Sequence, residues 1–147
     1  MKQTDYYYPG AVTWVGERRG TLTLEGKPPL DVATPPEFDG HDNTITPEDL
    51  FVSSAAVCFM SSFLAMAKKV RANFSSFTCR ANGKMELINK ETGFQFTRID
   101  LYPSIIISGE QDRDPVEKAL KLAEQYCPIS NSMKNDVVVN PEIKVAL

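Results

Sequence analysis

The sequence reads as a mixed, α+β chain, and three observations carry that reading. Short runs rich in β-branched and aromatic residues stand near the front and return after Arg71. Between them lies an uncharged stretch of helical length, Leu50 to Ala67. A second helical pattern opens at Asp114-Pro115. At 147 residues, a domain buries roughly two thirds of the surface its unfolded chain exposes. One self-sufficient core is therefore feasible, and a single domain spanning 1–147 is expected.

The first elements are strands. Ala11 to Val15 and Thr21 to Glu25 are short β-prone runs, the second with Leu22 and Leu24 alternating against threonines. Gly16-Glu17-Arg18-Arg19-Gly20 separates them, which predicts a hairpin. Pro28, Pro29, Pro35 and Pro36, then Asp39-Gly40 and His41-Asp42-Asn43, predict a loop-rich crossing without regular structure.

Thr46-Pro47-Glu48-Asp49 is a helix start: threonine at the N-cap, proline at the first helical position and acids in the first turn. From Leu50 to Ala67 the apolar and small residues go all the way round, so this helix is expected to be buried. Ser53, Ser54, Ser61, Ser62 and several alanines make it a poor membrane span. So short a chain has little of its own protein to cover both flanks, and a second copy is expected to supply part of the cover, as a homodimer.

Strands return as Phe77 to Ile88, Phe94 to Leu101 and Ile105 to Ile107, with a turn at Asn89 to Gly93 and a further hairpin or bulge at Asn82-Gly83. The helix opened by Asp114-Pro115 carries Val116, Ala119, Leu120, Ala123 and Cys127 at helical spacing. Pro128 should end it at Cys127, because the residue before proline is pushed out of the helical region. Asp136 to Val139 and Ile143 to Leu147 close the chain as strands.

Composition excludes several classes of function. Sixteen basic residues face 19 acidic ones, a net charge of -3, and no Lys/Arg stripe follows a phosphate backbone. Nucleic acid is not an expected partner, nor is a membrane. The front carries no signal-peptide core, so a cytoplasmic location is expected. Three cysteines without a C-x-x-C pair, in a reducing compartment, point to thiol chemistry rather than a disulfide framework. The single histidine, His41, lies far in sequence from any cysteine, so no metal site and no cofactor are expected.

Cys58 sits 12 positions past Thr46, mid-helix, where the helix dipole no longer acts. To be a thiolate there it needs a cation or a donor from elsewhere in the fold. Arg18 and Arg19 are candidates, and Glu48 could hold such a guanidinium by a bidentate pair. Taken separately, packing readings prevail for Cys58 and Cys127, a helix-start acid for Glu48, and a solvated turn for the arginines. Cys79 reads as core packing beside Phe77 and Ala81, and His41 as a surface loop residue.

The Trp14-x-Gly16 strand with its arginine-containing turn, the Thr46-Pro47-Glu48-Asp49-Leu50 helix start, Ala55-Ala56-Val57-Cys58-Phe59, and Cys127-Pro128-Ile129-Ser130 together resemble the OsmC/Ohr family. These names stand for osmotically inducible protein C and organic hydroperoxide resistance protein, and the likeness is closer to the OsmC branch. The resemblance runs nearly end to end. It implies an α+β fold of antiparallel sheets around a long buried central helix, in an intertwined homodimer with sites at the subunit interface. It implies a peroxidatic Cys58 and a resolving Cys127, 69 positions apart, with Arg19 and Glu48 activating the first and Arg18 a rival to Arg19. The implied activity is reduction of organic hydroperoxides by way of a Cys58 sulfenic acid and a Cys58–Cys127 disulfide, reset by a dithiol such as a lipoyl-bearing protein. Phe51, Phe59, Met60 and Phe63 are expected either to line an apolar substrate pocket or simply to pack the core. The alternative is a non-catalytic dimer of the same fold that holds a small apolar ligand or has a structural stress role.

Overall fold

A computed structural model describes residues 2–147 and falls into two compact units, one ending at Leu50 and one beginning at Phe51. The first unit is a three-stranded antiparallel meander, β1 (Ala11–Gly16), β2 (Arg19–Thr23) and β3 (Leu30–Ala33), in that order. The expected hairpin is present. Its turn uses positive φ at Gly16 and Glu17, and the register slips between Trp14 and Gly16. β2 begins at Arg19, so this arginine is a strand residue rather than a turn residue. β3 was not expected in the proline-rich crossing. The prolines flank Leu30–Ala33 without entering it, and four proline-free residues suffice to add an edge strand.

Helix α1 (Pro47–Val70) starts in this first unit with a reciprocal cap: Asp49 N–H donates to Thr46 Oγ1 and Thr46 N–H to Asp49 Oδ2, both at 3.0 Å. It ends at Arg71, whose φ of 58° lets Ala72 N–H reach Ala67 C=O at 2.8 Å. That is the usual glycine-type termination with an arginine in the left-handed position, and Lys68 and Lys69 in the last turn suit the dipole.

The second unit centres on a long antiparallel pair, β4 (Ser76–Asn89) and β5 (Gly93–Ile107), closed by Thr92 N–H donating to Asn89 Oδ1 at 2.7 Å. β5 was expected as two strands broken near Pro103, yet it is continuous. The reason is on its other edge: β6 (Asp136–Val139) pairs as far as Leu101 and β7 (Glu142–Val145) resumes at Ser104. Pro103 falls in the gap between those ladders, where its missing N–H costs least. β6 and β7 both run parallel to β5, so this sheet is mixed rather than purely antiparallel. The crossover that parallel pairing requires is supplied by α2 (Arg113–Tyr126) and α3 (Pro128–Ser132).

The core of this unit follows the two periods of its elements. Ala55, Phe59, Phe63 and Ala67 recur every fourth residue on α1, and Val116, Ala119, Leu120 and Ala123 form the inner face of α2. Both meet the alternate residues Ile99, Leu101, Ile105 and Ile107 of β5, each fully buried. Phe63 lies 5.0 Å from the Phe77 ring and 5.1 Å from the Phe74 ring, centroid to centroid. Contrary to the expectation of burial all round, α1 has only this one face covered. Val57 (59% exposed), Met60 (39%) and Leu64 (44%) lie bare on the other side. By length and composition alone α1 passes as a membrane span. A face packed into a sheet and a second helix marks it instead as a core helix.

Asn82-Gly83, expected as a turn or bulge, continues β4 in register, and the irregularity falls later, between Lys84 and Met85. Gly83 is needed for another reason. A Cβ there would stand only 2.4 Å from Val52 Cγ2 and 3.0 Å from the Phe96 ring, so glycine lets α1 lie close on the strand. Gly83→Ala should destabilise the protein by about 1–3 kcal/mol, the usual cost of overpacking, as measured by urea unfolding. A stability equal to the parent would show that Val52 moves aside freely.

Candidate active site

Two sulfur atoms meet in the second unit. Cys58 lies halfway along α1, partly buried, and Cys127 is the fully buried residue that joins α2 to α3. Cys127 stands outside both helices, with φ of -67° and ψ of 108°, the extended conformation that Pro128 imposes on its predecessor. The same proline then occupies the first position of α3, which the sequence reading had not anticipated. Cys127 thereby becomes the N-cap of α3, and its sulfur faces the donors of that first turn.

Those donors set the electrostatics. Ser130 Oγ donates to Cys127 Sγ at 3.4 Å. Burial pushes the Cys127 thiol up, but the Ser130 hydroxyl and N–H, the Cys58 thiol and the Ile129 N–H together outweigh it, and Cys127 ionises below the ordinary thiol range. For Cys58 burial is again the largest influence and raises it. The Ile129 N–H and the Ser62 hydroxyl act the other way, while the neighbouring Cys127 sulfur adds to the rise. The two thiols lie near enough for each to shift the ionisation of the other, and both are free. Such a pair holds one negative charge readily and two with difficulty.

The other expected residues fall differently. Arg19, half exposed, donates to Thr44 Oγ1 at 3.4 Å and lies 4.0 Å from Glu17. Arg18 donates to the Phe38 carbonyl at 3.4 Å. Glu48 sits in the first turn of α1 with Oε1 buried and without a hydrogen-bond partner, so the arginine–glutamate pair is not formed. His41 is less exposed than expected, 19% for its side chain, with Nε2 3.5 Å from Glu17. Cys79 packs against the core, and burial raises its thiol. Phe59 and Phe63 belong to the buried core. Phe51 stacks on Phe96 at 4.8 Å and forms an apolar groove with it and Met133. Met60 lies on the bare face of α1. No group of three metal-ligating side chains occurs among the described residues.

Ser130, Ser62 and the Ile129 amide went unassigned in the sequence reading. One signal was present: Cys127-Pro128-Ile129-Ser130 has the spacing of a helix cap, with proline first and a hydroxyl at the third position reaching back.

Strands paired around a core helix, with a mid-helix thiol meeting a helix-cap thiol, define a small α+β protein with a two-thiol centre. The chain belongs to the family of OsmC-like proteins, which matches residues 40–142. It is similar to the uncharacterized protein YmaD of Bacillus subtilis, at 26% identity over 97% of each chain. It is also similar to an organic hydroperoxide resistance protein-like protein of Staphylococcus aureus, at 23% identity over 95% of this chain and 96% of the relative. Among solved structures, an OsmC-like protein of unknown function from Vibrio cholerae superposes with a TM-score of 0.83 at 25% identity, over 93% of this chain and 99% of the other.

Proposed function

We propose that the protein is a thiol-dependent peroxidase that reduces organic hydroperoxides to alcohols, with Cys58 attacking and Cys127 resolving. The observation that carries this reading is that two free thiols 69 positions apart in the sequence come near enough to influence each other's ionisation. Packing alone does not call for a second sulfur, or for hydroxyl and amide donors turned toward both.

Cys58 is the attacking thiol because it is the more accessible of the two, whereas Cys127 is fully buried. The Cys58 thiolate displaces alkoxide from the terminal peroxide oxygen, a proton completes the alcohol, and a sulfenic acid remains. Cys127 sulfur then attacks the sulfenic sulfur, water leaves and the disulfide forms. A dithiol returns two electrons. In this reading Ile129 N–H and Ser62 Oγ stabilise the Cys58 thiolate. Arg19 is the activating cation and Glu48 its acceptor, for which the partnerless buried Oε1 of Glu48 speaks. The reading also includes a homodimer joined through the bare face of α1, and a cytoplasmic location where thiols stay reduced.

One equivalent of cumene hydroperoxide added to the reduced protein should remove two hydrogens from its intact mass. Cys58→Ser and Cys127→Ser should each abolish that change. An unchanged mass and thiol count in the parent would replace the peroxidase by the non-catalytic, ligand-holding dimer.

A further inference from the structure

The two sulfurs of the centre are unequal in a way that bears on how it is reset. Cys58 is only partly buried, on the side of α1, while Cys127 is fully buried behind the start of α3. An external thiol, which needs an approach in line with the S–S bond, can reach the first sulfur along whatever opening admits a hydroperoxide. The second has no such opening. The leaving side is unequal too. Cys127 Sγ receives the Ser130 hydroxyl at 3.4 Å, so a negative charge appearing there meets a donor already in place.

We propose that reductant opens the Cys58–Cys127 disulfide from the Cys58 side, with Ser130 stabilising the departing Cys127 thiolate. This rests on the disulfide of the proposed function. The reductant's thiolate forms a new S–S bond to Cys58, the Cys58–Cys127 bond breaks, and its electron pair leaves on Cys127. The second thiol of the reductant then closes on its own sulfur and releases Cys58 as thiolate. Two electrons have passed from the dithiol to the protein, and protons return from solvent. Thiols ionising at lower pH leave faster, which agrees with the depressed ionisation of Cys127. Ser130 thus joins the reacting groups, because its hydroxyl touches the leaving sulfur.

The test separates this from the peroxidase reading by making the disulfide with diamide, which does so whether or not the protein reduces peroxides. The full-length oxidised protein is mixed with 2-mercaptoethanol, acid-quenched at low conversion, alkylated with N-ethylmaleimide and mapped by peptide mass. The mercaptoethanol adduct should sit on Cys58 and the maleimide on Cys127, in a ratio of about tenfold or more. Adduct mainly on Cys127 overturns the proposal, as does failure of diamide to join the pair. Ser130→Ala should slow the opening by about tenfold or more, the scale of one hydrogen bond to a charged sulfur, and Ser130→Thr should restore it. In a Cys58→Ser background, Ser130→Ala should also shift the ultraviolet titration of the Cys127 thiolate upward. An unmoved titration would remove Ser130 from the mechanism even if the variant is slow.

Discussion

Cys58→Ser should lose reaction with hydroperoxide altogether, while Cys127→Ser should still consume one equivalent and stop at a sulfenic acid that dimedone traps on Cys58. The loss in the first variant should be on the order of a thousandfold or more, the scale on which removal of an enzyme's nucleophile is felt. The pH dependence of that first step carries a sign as well. In the parent, burial and the adjacent Cys127 sulfur hold the Cys58 thiol above its ordinary value of ~8.5, so the first step should quicken as pH rises through that region. Serine at 127 removes the neighbouring charge and leaves a hydroxyl that donates to the Cys58 thiolate. The midpoint for sulfenate formation should therefore move to lower pH in Cys127→Ser, with a single-turnover rate at neutral pH at least equal to the parent's. Stopped-flow consumption of cumene hydroperoxide across a pH series measures both. If Cys58→Ser reacts and Cys127→Ser does not, the two roles are exchanged and the buried, more acidic sulfur is the nucleophile.

What was legible in the sequence was legible because local rules agreed with the fold. The capping box at Thr46 and Asp49, the turn at Asn89 to Gly93 and the helix stop before Pro128 are local features that tertiary contacts had no reason to overturn. Where the reading missed, the deciding partner was remote in the chain. Pro103 breaks a strand on local grounds, and only the β6–β7 gap beside it makes it harmless. Phe59 and Phe63 were open to a pocket or a core until β4 and β5 met them. In the candidate site, Cys58 and Cys127 were named from resemblance, but their encounter depends on α2 and α3 returning to α1. The donors of α3, Ser130 above all, followed from a cap whose significance appears only once the capping residue is a thiol. Arg19 and Glu48 remain apart from any such pairing in this structure, the one engaged with Thr44 and Glu17 and the other unpartnered.

Aspartates at Val57 and Leu64 together should turn the protein from dimer to monomer at micromolar concentration. Both side chains stand on the face of α1 that the chain itself leaves uncovered, 59% and 44% exposed. Neither belongs to the buried stripe of Ala55, Phe59, Phe63 and Ala67, so the helix and its core should survive the change. A bare apolar stripe at helical spacing, with small serines at 53, 54 and 61 between the larger residues, suits close approach of a second helix. In a two-fold dimer every substitution is present twice. Burying a valine or leucine side chain completely is worth about 1.5–3 kcal/mol, and completing the burial of these half-exposed ones about 1–2 each. Two positions in two copies then sum to on the order of 5 kcal/mol, or three to four decades in dissociation constant, before the cost of bringing carboxylates together is counted. Sedimentation equilibrium should show the parent as a dimer and the doubly substituted protein as a folded monomer with unchanged far-ultraviolet dichroism. A parent that sediments as a monomer would leave this face of α1 without its partner, and the dimer part of the functional reading would fall with it.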